Sequence, residues 1–206
     1  RVWSWGRGYQ GKLGHGHDES RFHPKAVAST AFVAKQITAG ACCTLVIDTD
    51  DAIWITGRVH FGGPSTTTFT RVQFPDTPGL PPLRFSQVVC TVVHALAVTT
   101  DGGLFSWGWG GKGQLGHGST EDSDVPRLVT ALKDVPVASA AAGIRTSLAL
   151  ARHGEVWSWG MGHALGHGGH EQSRQLLPRV IGGLGAGASI RRIAAGHETA
   201  ACANGD

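Results

Sequence analysis

The sequence predicts an all-β fold, a β-propeller whose blades are four-stranded antiparallel sheets. Three short markers recur in the same phase along its 206 residues, and no segment keeps helical periodicity for more than about two turns. Short strands between glycine turns, with a period of about 50 residues, are typical of propeller blades. We predict a single propeller fragment with four repeat units, at about 1-52, 53-103, 104-155 and 156-206.

The first marker is an apolar strand that ends at a glycine. It carries Trp or Phe at its second position and reads Val-Trp-Ser-Trp-Gly in the first unit, an alternation that predicts a strand. The closing glycines are 51, 51 and 52 residues apart and lie at Gly6, Gly57, Gly108 and Gly160.

The second marker is Leu-Gly-His-Gly, which follows the first marker after a glycine-rich loop. It occupies residues 13–16, 115–118 and 165–168, where we expect a turn. The second unit departs from it, because Phe61-Gly62-Gly63-Pro64 and a Thr- and Pro-rich stretch through Pro82 take its place.

The third marker is a small dipeptide that precedes a short apolar run in every unit. Its second residues are 51, 52 and 53 residues apart and are Gly40, Thr91, Gly143 and Gly196. A turn then leads into the strand of the first marker, which we call the Trp strand. In the second unit Asp101-Gly102 supplies the positive φ that a tight hairpin needs. Three independent markers therefore agree on one period.

Together these motifs resemble the repeat of the regulator of chromosome condensation family. The resemblance covers essentially the whole chain, through Trp-Ser-Trp-Gly, Leu-Gly-His-Gly, Pro-x-x-Val, Ala-Ala-Gly and Leu-Ala-Leu. It implies a seven-bladed propeller, of which four units would form an open arc. We expect the chain to be part of a longer protein, with other blades or a second copy covering its unpaired strand edges.

Composition and charge exclude several classes of protein. Hydrophobic residues make up 41% of the chain, which excludes disorder, and no apolar stretch approaches the roughly 20 residues that span a bilayer. The net charge of +3 comes from scattered residues, so binding to nucleic acid or chromatin gains little support. We expect a soluble intracellular protein, cytoplasmic or nuclear.

Neither the cysteines nor the histidines predict a metal site. The cysteines, at positions 42, 43, 90 and 202, lack paired spacing and are best interpreted as thiols in a reducing compartment. His163, His167 and His170 could offer nitrogens to zinc, but His167 shares its repeat position with His15 and His117. We expect no metal and no cofactor.

No catalytic motif is present either. Residues 108–113 are glycine-rich, but a phosphate loop needs a following helix, and Leu-Gly-His-Gly comes next instead. The sequence has no nucleophile elbow. Blade packing explains the seven tryptophans, because the turns where a photoreceptor branch of this family carries Trp contain none.

Propeller loops commonly bind partners, because rigid blades hold variable segments in place. We therefore predict a non-enzymatic scaffold for protein–protein interaction, a module of a larger protein that binds a protein partner through its loop faces. The predicted contacts follow the Trp-Gly pairs and combine aromatic and cationic character; they are Arg7, Tyr9, Trp109, Lys112, Met161 and His163.

Two alternatives stay open. The resemblance implies guanine-nucleotide exchange on a small GTPase, or a chromatin-binding regulator. The exchange-active member of the family inserts a β-hairpin wedge, however, and steps of 51 to 53 residues leave no room for one. The second alternative is the propeller module of a ubiquitin ligase, whose other domains would lie outside this chain.

Overall fold

The computed structural model describes residues 1–28, 31–60, 62–75, 81–168, 173–184 and 190–205. Within these ranges the strands form three four-stranded and two two-stranded antiparallel sheets. Phe61 of the divergent second unit, and His170 of the histidine group, lie outside the described residues.

The strands are short, and within each four-stranded sheet neighbouring strands are consecutive in the chain. They are β1 (Trp3–Gly6), β2 (Arg21–Ala26), β3 (Ala34–Ala39), β4 (Cys43–Asp48), β5 (Ile53–Gly57), β6 (Thr66–Arg71), β7 (Phe85–Cys90), β8 (His94–Thr99), β9 (Leu104–Gly108), β10 (Ser123–Leu128), β11 (Val137–Ala142), β12 (Thr146–Ala151), β13 (Val156–Met161), β14 (Arg174–Val180), β15 (Ile190–Ala195) and β16 (Ala200–Asn204).

The sheets are the predicted propeller blades. Blade 1 comprises β3 to β6, blade 2 comprises β7 to β10, and blade 3 comprises β11 to β14. The strands β1 and β2 form an N-terminal half-blade, and β15 and β16 form a C-terminal half-blade. The prediction of an all-β fold with four-stranded antiparallel blades is confirmed.

The sequence repeat and the blade have the same length but a different phase. One repeat unit, residues 53–103, contains β5 and β6 of blade 1 followed by β7 and β8 of blade 2. The Trp strand is therefore the third strand of a blade, and β1 corresponds to β5, β9 and β13. The N-terminal half-blade supplies the last two strands of a blade, and the C-terminal half-blade supplies the first two.

The second strand of each blade is buried on both faces, because it lies between two neighbouring sheets. In β8, Ala95 and Ala97 pack toward blade 1, whereas Leu96 and Val98 pack toward blade 3. This alternation follows from the two-residue period of side chains along a strand. The first strands β3, β7, β11 and β15 contact one another in turn, so the blades stack side by side at their inner edges.

Aromatic rings close the junction between blades 1 and 2. The ring of Phe74 lies 4.2 Å from that of Phe85 and meets the ring of Phe105 edge-on at 5.4 Å. The indole of Trp107 lies 6.0 Å from Phe74, again nearly perpendicular. Edge-to-face pairs add about 0.5–1.5 kcal/mol each to the area that they bury, so apolar packing contributes to the stability of this junction.

The two half-blades expose side chains that the complete blades bury. Trp5 is 58% exposed, although Trp159, at the same position of blade 3, is fully buried. Every described residue of β16 is exposed, whereas the corresponding strands β4, β8 and β12 are buried throughout. The cause is that, within the described residues, no blade precedes β1 to cover Trp5 as blade 2 covers Trp159, and no further strand or blade follows β16.

The glycine that closes each Trp strand permits a positive φ and, in the complete blades, also leaves room for a close backbone contact. Mutation separates these two roles. Gly6 and Gly160 share a positive φ, +107° and +106°, but a Cβ at Gly160 would lie 2.0 Å from the Arg145 carbonyl oxygen, whereas nothing lies within 4 Å at Gly6. We expect Gly6→Ala to cost about 1–2 kcal/mol through backbone strain. Gly160→Ala adds the clash, so its cost exceeds that of Gly6→Ala by at least about 2 kcal/mol.

Urea denaturation of the whole chain, followed by tryptophan fluorescence and circular dichroism, measures both values. Equal losses of unfolding free energy for the two variants would contradict the assignment of Gly160 to a close contact between the strand end and the neighbouring turn.

Candidate partner-binding face

The loops after the Trp strands lie at one end of the blades, together with the turns between first and second strands. Backbone hydrogen bonds join the two in each complete blade: the amides of Arg58, Trp109 and Met161 donate to carbonyls of the adjacent turn at 2.8–2.9 Å. We call this end the loop face and define it by residues 7–12, 40–42, 58–60, 62–65, 91–93, 109–114, 143–145, 161–164 and 196–199. Turns between second and third strands form the opposite, hairpin end.

The six predicted contact residues all lie at the loop face. Arg7 and His163 are exposed, Tyr9 is 60% exposed, and Trp109 and Lys112 are partly buried. Met161 differs, because it is 7% exposed as the last residue of β13, where it pairs with Arg174. The structure therefore places five of the six side chains at the surface, on three separate loops, and Met161 beneath it.

The Leu-Gly-His-Gly turn is fastened to the Trp strand of its own blade by a serine. In each case the serine hydroxyl donates to the leucine carbonyl at 2.6 Å and meets Nε2 of the histidine at 2.9–3.1 Å. The serine–histidine pairs are Ser4–His15, Ser106–His117 and Ser158–His167.

The direction of these hydrogen bonds assigns the pairs to structure and not to catalysis. Because the serine proton points to the leucine carbonyl, the histidine must donate its Nε2–H to the serine oxygen. A nucleophilic serine needs the opposite arrangement, in which a histidine accepts its proton. Burial, reinforced by Arg127, lowers the pKa of His117 to about 4, and burial also lowers the pKa values of His15 and His167.

The same loops also hold the next blade. The carbonyl of Gln114, in the loop of blade 2, accepts from the Ser147 hydroxyl at 2.8 Å and from the Trp159 indole at 2.7 Å, both in blade 3. The N-terminal half-blade and blade 1 repeat the arrangement, because Thr44 donates to the Lys12 carbonyl at 2.8 Å. Two of the loops that carry Leu-Gly-His-Gly are therefore hydrogen-bonded links between adjacent blades, whereas the third faces Ala200, which has no side-chain donor.

His94 extends this link inside the core. It is fully buried, and its Nε2 lies 2.8 Å from the hydroxyl of Ser147 in the next blade. Since the Ser147 proton is donated to Gln114, His94 is the donor to Ser147, which requires a protonated Nε2. Burial lowers the pKa of His94 to about 3, so the imidazole is neutral at pH 7.

The free energy of unfolding should therefore decrease as the pH falls below the unfolded-state pKa of His94. In the unfolded chain its pKa is near 6.5, so between pH 6.5 and about 3 only the unfolded state binds the proton. This contributes a loss of up to ~1.4 kcal/mol per pH unit. The other blades have Cys43 and Thr146 at this position, so His94→Thr should fold and should lower the proton uptake on unfolding by about one.

Urea denaturation at intervals of half a pH unit, from pH 7 to pH 4, gives the slope of unfolding free energy against pH for the wild type and for His94→Thr. The histidines of the Leu-Gly-His-Gly turns are present in both proteins and cancel in the comparison. An identical slope would mean that His94 does not stay neutral in the folded state.

The junction between blades 1 and 2 lacks this link and contains a groove. Ala95, which cannot donate, occupies the position of Ser147 and Thr44. A cavity of about 190 Å³ opens beside the second unit's divergent loop, lined by Ile55, Val59, Val72, Trp107 and Val125 among others. No described residue accepts a hydrogen bond from the Trp107 indole, whereas its equivalent Trp159 donates to Gln114.

One histidine–aspartate pair lines this groove and joins the two blades. His60 of blade 1 is 7% exposed, and its Nε2 donates to Oδ1 of Asp124 in blade 2 at 2.8 Å. A second carboxylate, that of Asp122, lies 4.0 Å from the other ring nitrogen. The groove therefore presents apolar walls beside a partly exposed acidic edge.

Sequence reasoning missed His60 and Asp124, because 64 residues separate them and only blade stacking brings them together. The one available signal was the loss of Leu-Gly-His-Gly in the second unit. Within the described ranges no group of three or more histidine, cysteine or acidic side chains is arranged to hold a metal ion, and His167 is bonded to Ser158. No helix among these residues has the length and apolar character to span a membrane.

Two proteins are similar to this chain along most of its length. It is 34% identical over 207 residues to the human E3 ubiquitin-protein ligase HERC2, covering 95% of this chain and 4% of HERC2. It is 32% identical over 201 residues to the Arabidopsis thaliana ultraviolet-B receptor UVR8, covering 95% of this chain and 45% of the receptor. The chain thus spans less than half of either relative.

The fold and the sequence point to one family. The crystal structure of human WBSCR16 superposes with a TM-score of 0.84 at 25% identity, covering 99% of this chain and 54% of that one. The family described as "Regulator of chromosome condensation (RCC1) repeat" matches residues 1–47, 101–150 and 153–203, and a second description of the same repeat matches residues 85–114. The chain belongs to the regulator of chromosome condensation repeat family.

Proposed function

We propose that this chain is a non-enzymatic protein-interaction module of a larger protein, and that it binds a partner protein through its loop face. The observation that carries the proposal is the groove between blades 1 and 2. Val59, His60, Gly63 and Pro64 of the loop face line part of it, at the one junction of complete blades where the divergent loop replaces the usual link. A rigid framework with one altered, open junction is suited to holding a partner.

The chemistry of this surface favours a protein ligand. Its exposed side chains include Tyr9, Arg7 and His163, types that combine large contact area with polar tips. The groove adds apolar walls and the Asp124 carboxylate, which suit an apolar side chain flanked by a cationic one. A net charge of +3 without a basic cluster gives little attraction for nucleic acid or chromatin.

The similarity to HERC2 favours a second, more specific candidate. HERC2 is by name a ubiquitin-protein ligase, and the similarity covers nearly all of this chain. As a module of such an enzyme, the propeller would bind a protein and hold it near a catalytic domain elsewhere in the polypeptide. This candidate uses the same loop face and needs no catalytic group in the blades.

Three variants test the proposal. We expect Arg7→Ala/Tyr9→Ala/His163→Ala and, separately, Asp124→Ala to weaken partner binding by about tenfold or more, because both remove contacts that the proposal assigns to the interface. The control, His153→Ala/Glu155→Ala, removes an exposed ion pair at the hairpin end and should leave binding unchanged. Affinity capture from cell extract with quantitative mass spectrometry finds the partner, and calorimetry with the purified partner gives the affinities.

The design also separates the alternatives. EDTA in the capture buffer strips nucleotide from GTPases. A small GTPase whose retention rises in EDTA would overturn the non-enzymatic proposal in favour of guanine-nucleotide exchange. Co-capture of ubiquitin conjugates with the parent protein would support the ligase candidate. An identical set of proteins bound by all three variants and the wild type would contradict the assignment of the loop face.

A further proposal concerns the exposed strand edges. We propose that other blades or a second copy cover β1 and β16 in the parent protein, because Trp3 and Trp5 are exposed and the outer edge of β16 has no partner among the described strands, which makes these ends prone to association. The isolated chain should associate in sedimentation velocity, and Ala201→Lys in β16 should reduce the associated fraction severalfold. A wild-type chain that sediments as a monomer at all concentrations would contradict this.

A further inference from the structure

A pair of thiols lies at the inner edge of the junction between blades 1 and 2. Cys43 begins β4 of blade 1 and is buried, and Cys90 ends β7 of blade 2 and is partly exposed. Cys90 packs against the core cluster that contains Cys43, and each of the two thiols shifts the pKa of the other. No corresponding thiols occur at these two positions in blade 3, which has Ala142 and Thr146.

Backbone contacts join the two blades around this pair of thiols. The Cys90 sulfur lies 3.9 Å from the Thr38 hydroxyl, and a Cβ at Gly40 would lie only 3.0 Å from it. The Gly40 amide donates to the Cys43 carbonyl at 2.9 Å, and the Ala41 amide donates to the Thr91 carbonyl at 3.3 Å. The turn of blade 1 and the strand end of blade 2 are therefore directly bonded next to the thiols.

The two thiols differ in access and in acidity. Cys90 lines an open depression formed by the inner turns, together with Gly40, Thr91 and Gly143, whereas Cys43 has no such opening. The hydrogen bond from Cys43, with a further one from Thr38, lowers the pKa of Cys90. The same contact and burial raise the pKa of Cys43. Cys90 is thus the accessible sulfur that more readily becomes a thiolate, which is the reactive form.

We propose that Cys90 and Cys43 are a redox modification site, at which a peroxide oxidises Cys90 and Cys43 then closes a disulfide between blades 1 and 2. In the first step the Cys90 thiolate attacks one peroxide oxygen, an S–O bond forms, the O–O bond breaks and hydroxide leaves. In the second step the Cys43 sulfur attacks the Cys90 sulfenic acid, the S–S bond forms, and the oxygen leaves as water with the Cys43 proton. The two sulfurs are oxidised and the peroxide is reduced.

The disulfide would join two blades at a junction that lacks the hydrogen-bonded link of its neighbour. Crosslinking residues 47 positions apart restricts the unfolded chain, so the oxidised protein should unfold at a higher denaturant concentration than the reduced one. Transient, sensor-type disulfides of this kind occur in otherwise reducing compartments.

The experiment uses the whole chain with Cys202→Ser, which removes the exposed thiol on β16 and with it intermolecular crosslinks. The protein is exposed to hydrogen peroxide in small excess, alkylated and digested for mass spectrometry. We expect a Cys43–Cys90 linked peptide, an alkylated Cys42 and full reversal by dithiothreitol. Both cysteines alkylated after peroxide treatment, or a linkage that involves Cys42, would overturn the proposal.

Matched variants keep the test informative if a substitution affects folding. Cys90→Ala and Cys43→Thr introduce the residues that blade 3 carries at the same positions, so both should fold. Cys90→Ala should abolish peroxide consumption at this site, and Cys43→Thr should leave a sulfenic acid on Cys90 that dimedone traps. Dimedone labelling of Cys43 in Cys90→Ala, or an absence of labelling in folded Cys43→Thr, would contradict the assigned order.

Discussion

The structure depends on one constraint: a sheet in this fold buries its faces only against another sheet. Strands β4, β8 and β12 are buried on both faces because a blade lies on each side, and their alternating residues divide between two core clusters. Where a neighbour is missing, the same motif is exposed, as Trp5 is in comparison with Trp159. The hydrophobic effect thus acts between repeats more than within them, as in other repeat proteins.

Hydrogen bonds then fix how each blade sits on the next. Within a blade, a serine and a histidine orient the Leu-Gly-His-Gly turn, and the carbonyl before the turn accepts donors from the following blade. Ser106 and His117 resemble a catalytic pair in spacing, but the serine proton is already committed to a backbone carbonyl. Polar residues that recur in phase with a repeat are therefore better explained by the interface between repeats than by catalysis.

The repeat markers were sufficient to predict the fold, because the period, glycine turns and strand alternation are local and recur several times. The candidate site was predicted less completely. The strand β13 continues one residue past its closing glycine and so buries Met161, which the loop assignment placed at the surface. The pairs His60–Asp124 and Cys43–Cys90 each join residues far apart in the sequence, so no local pattern could reveal them.

These departures from the repeat converge on a single junction. Between blades 1 and 2 the interblade donor is replaced by Ala95 and the marker turn is replaced by a divergent loop, while apolar packing and other hydrogen bonds join the blades. The groove with its His60–Asp124 pair and the thiols of Cys43 and Cys90 lie at this same junction, at its outer and inner parts. This junction lacks the loop-to-strand hydrogen bonds of the junction between blades 2 and 3, and it keeps backbone hydrogen bonds at its inner edge. A crosslink at its inner edge would therefore restrict the groove on which partner binding is proposed to depend.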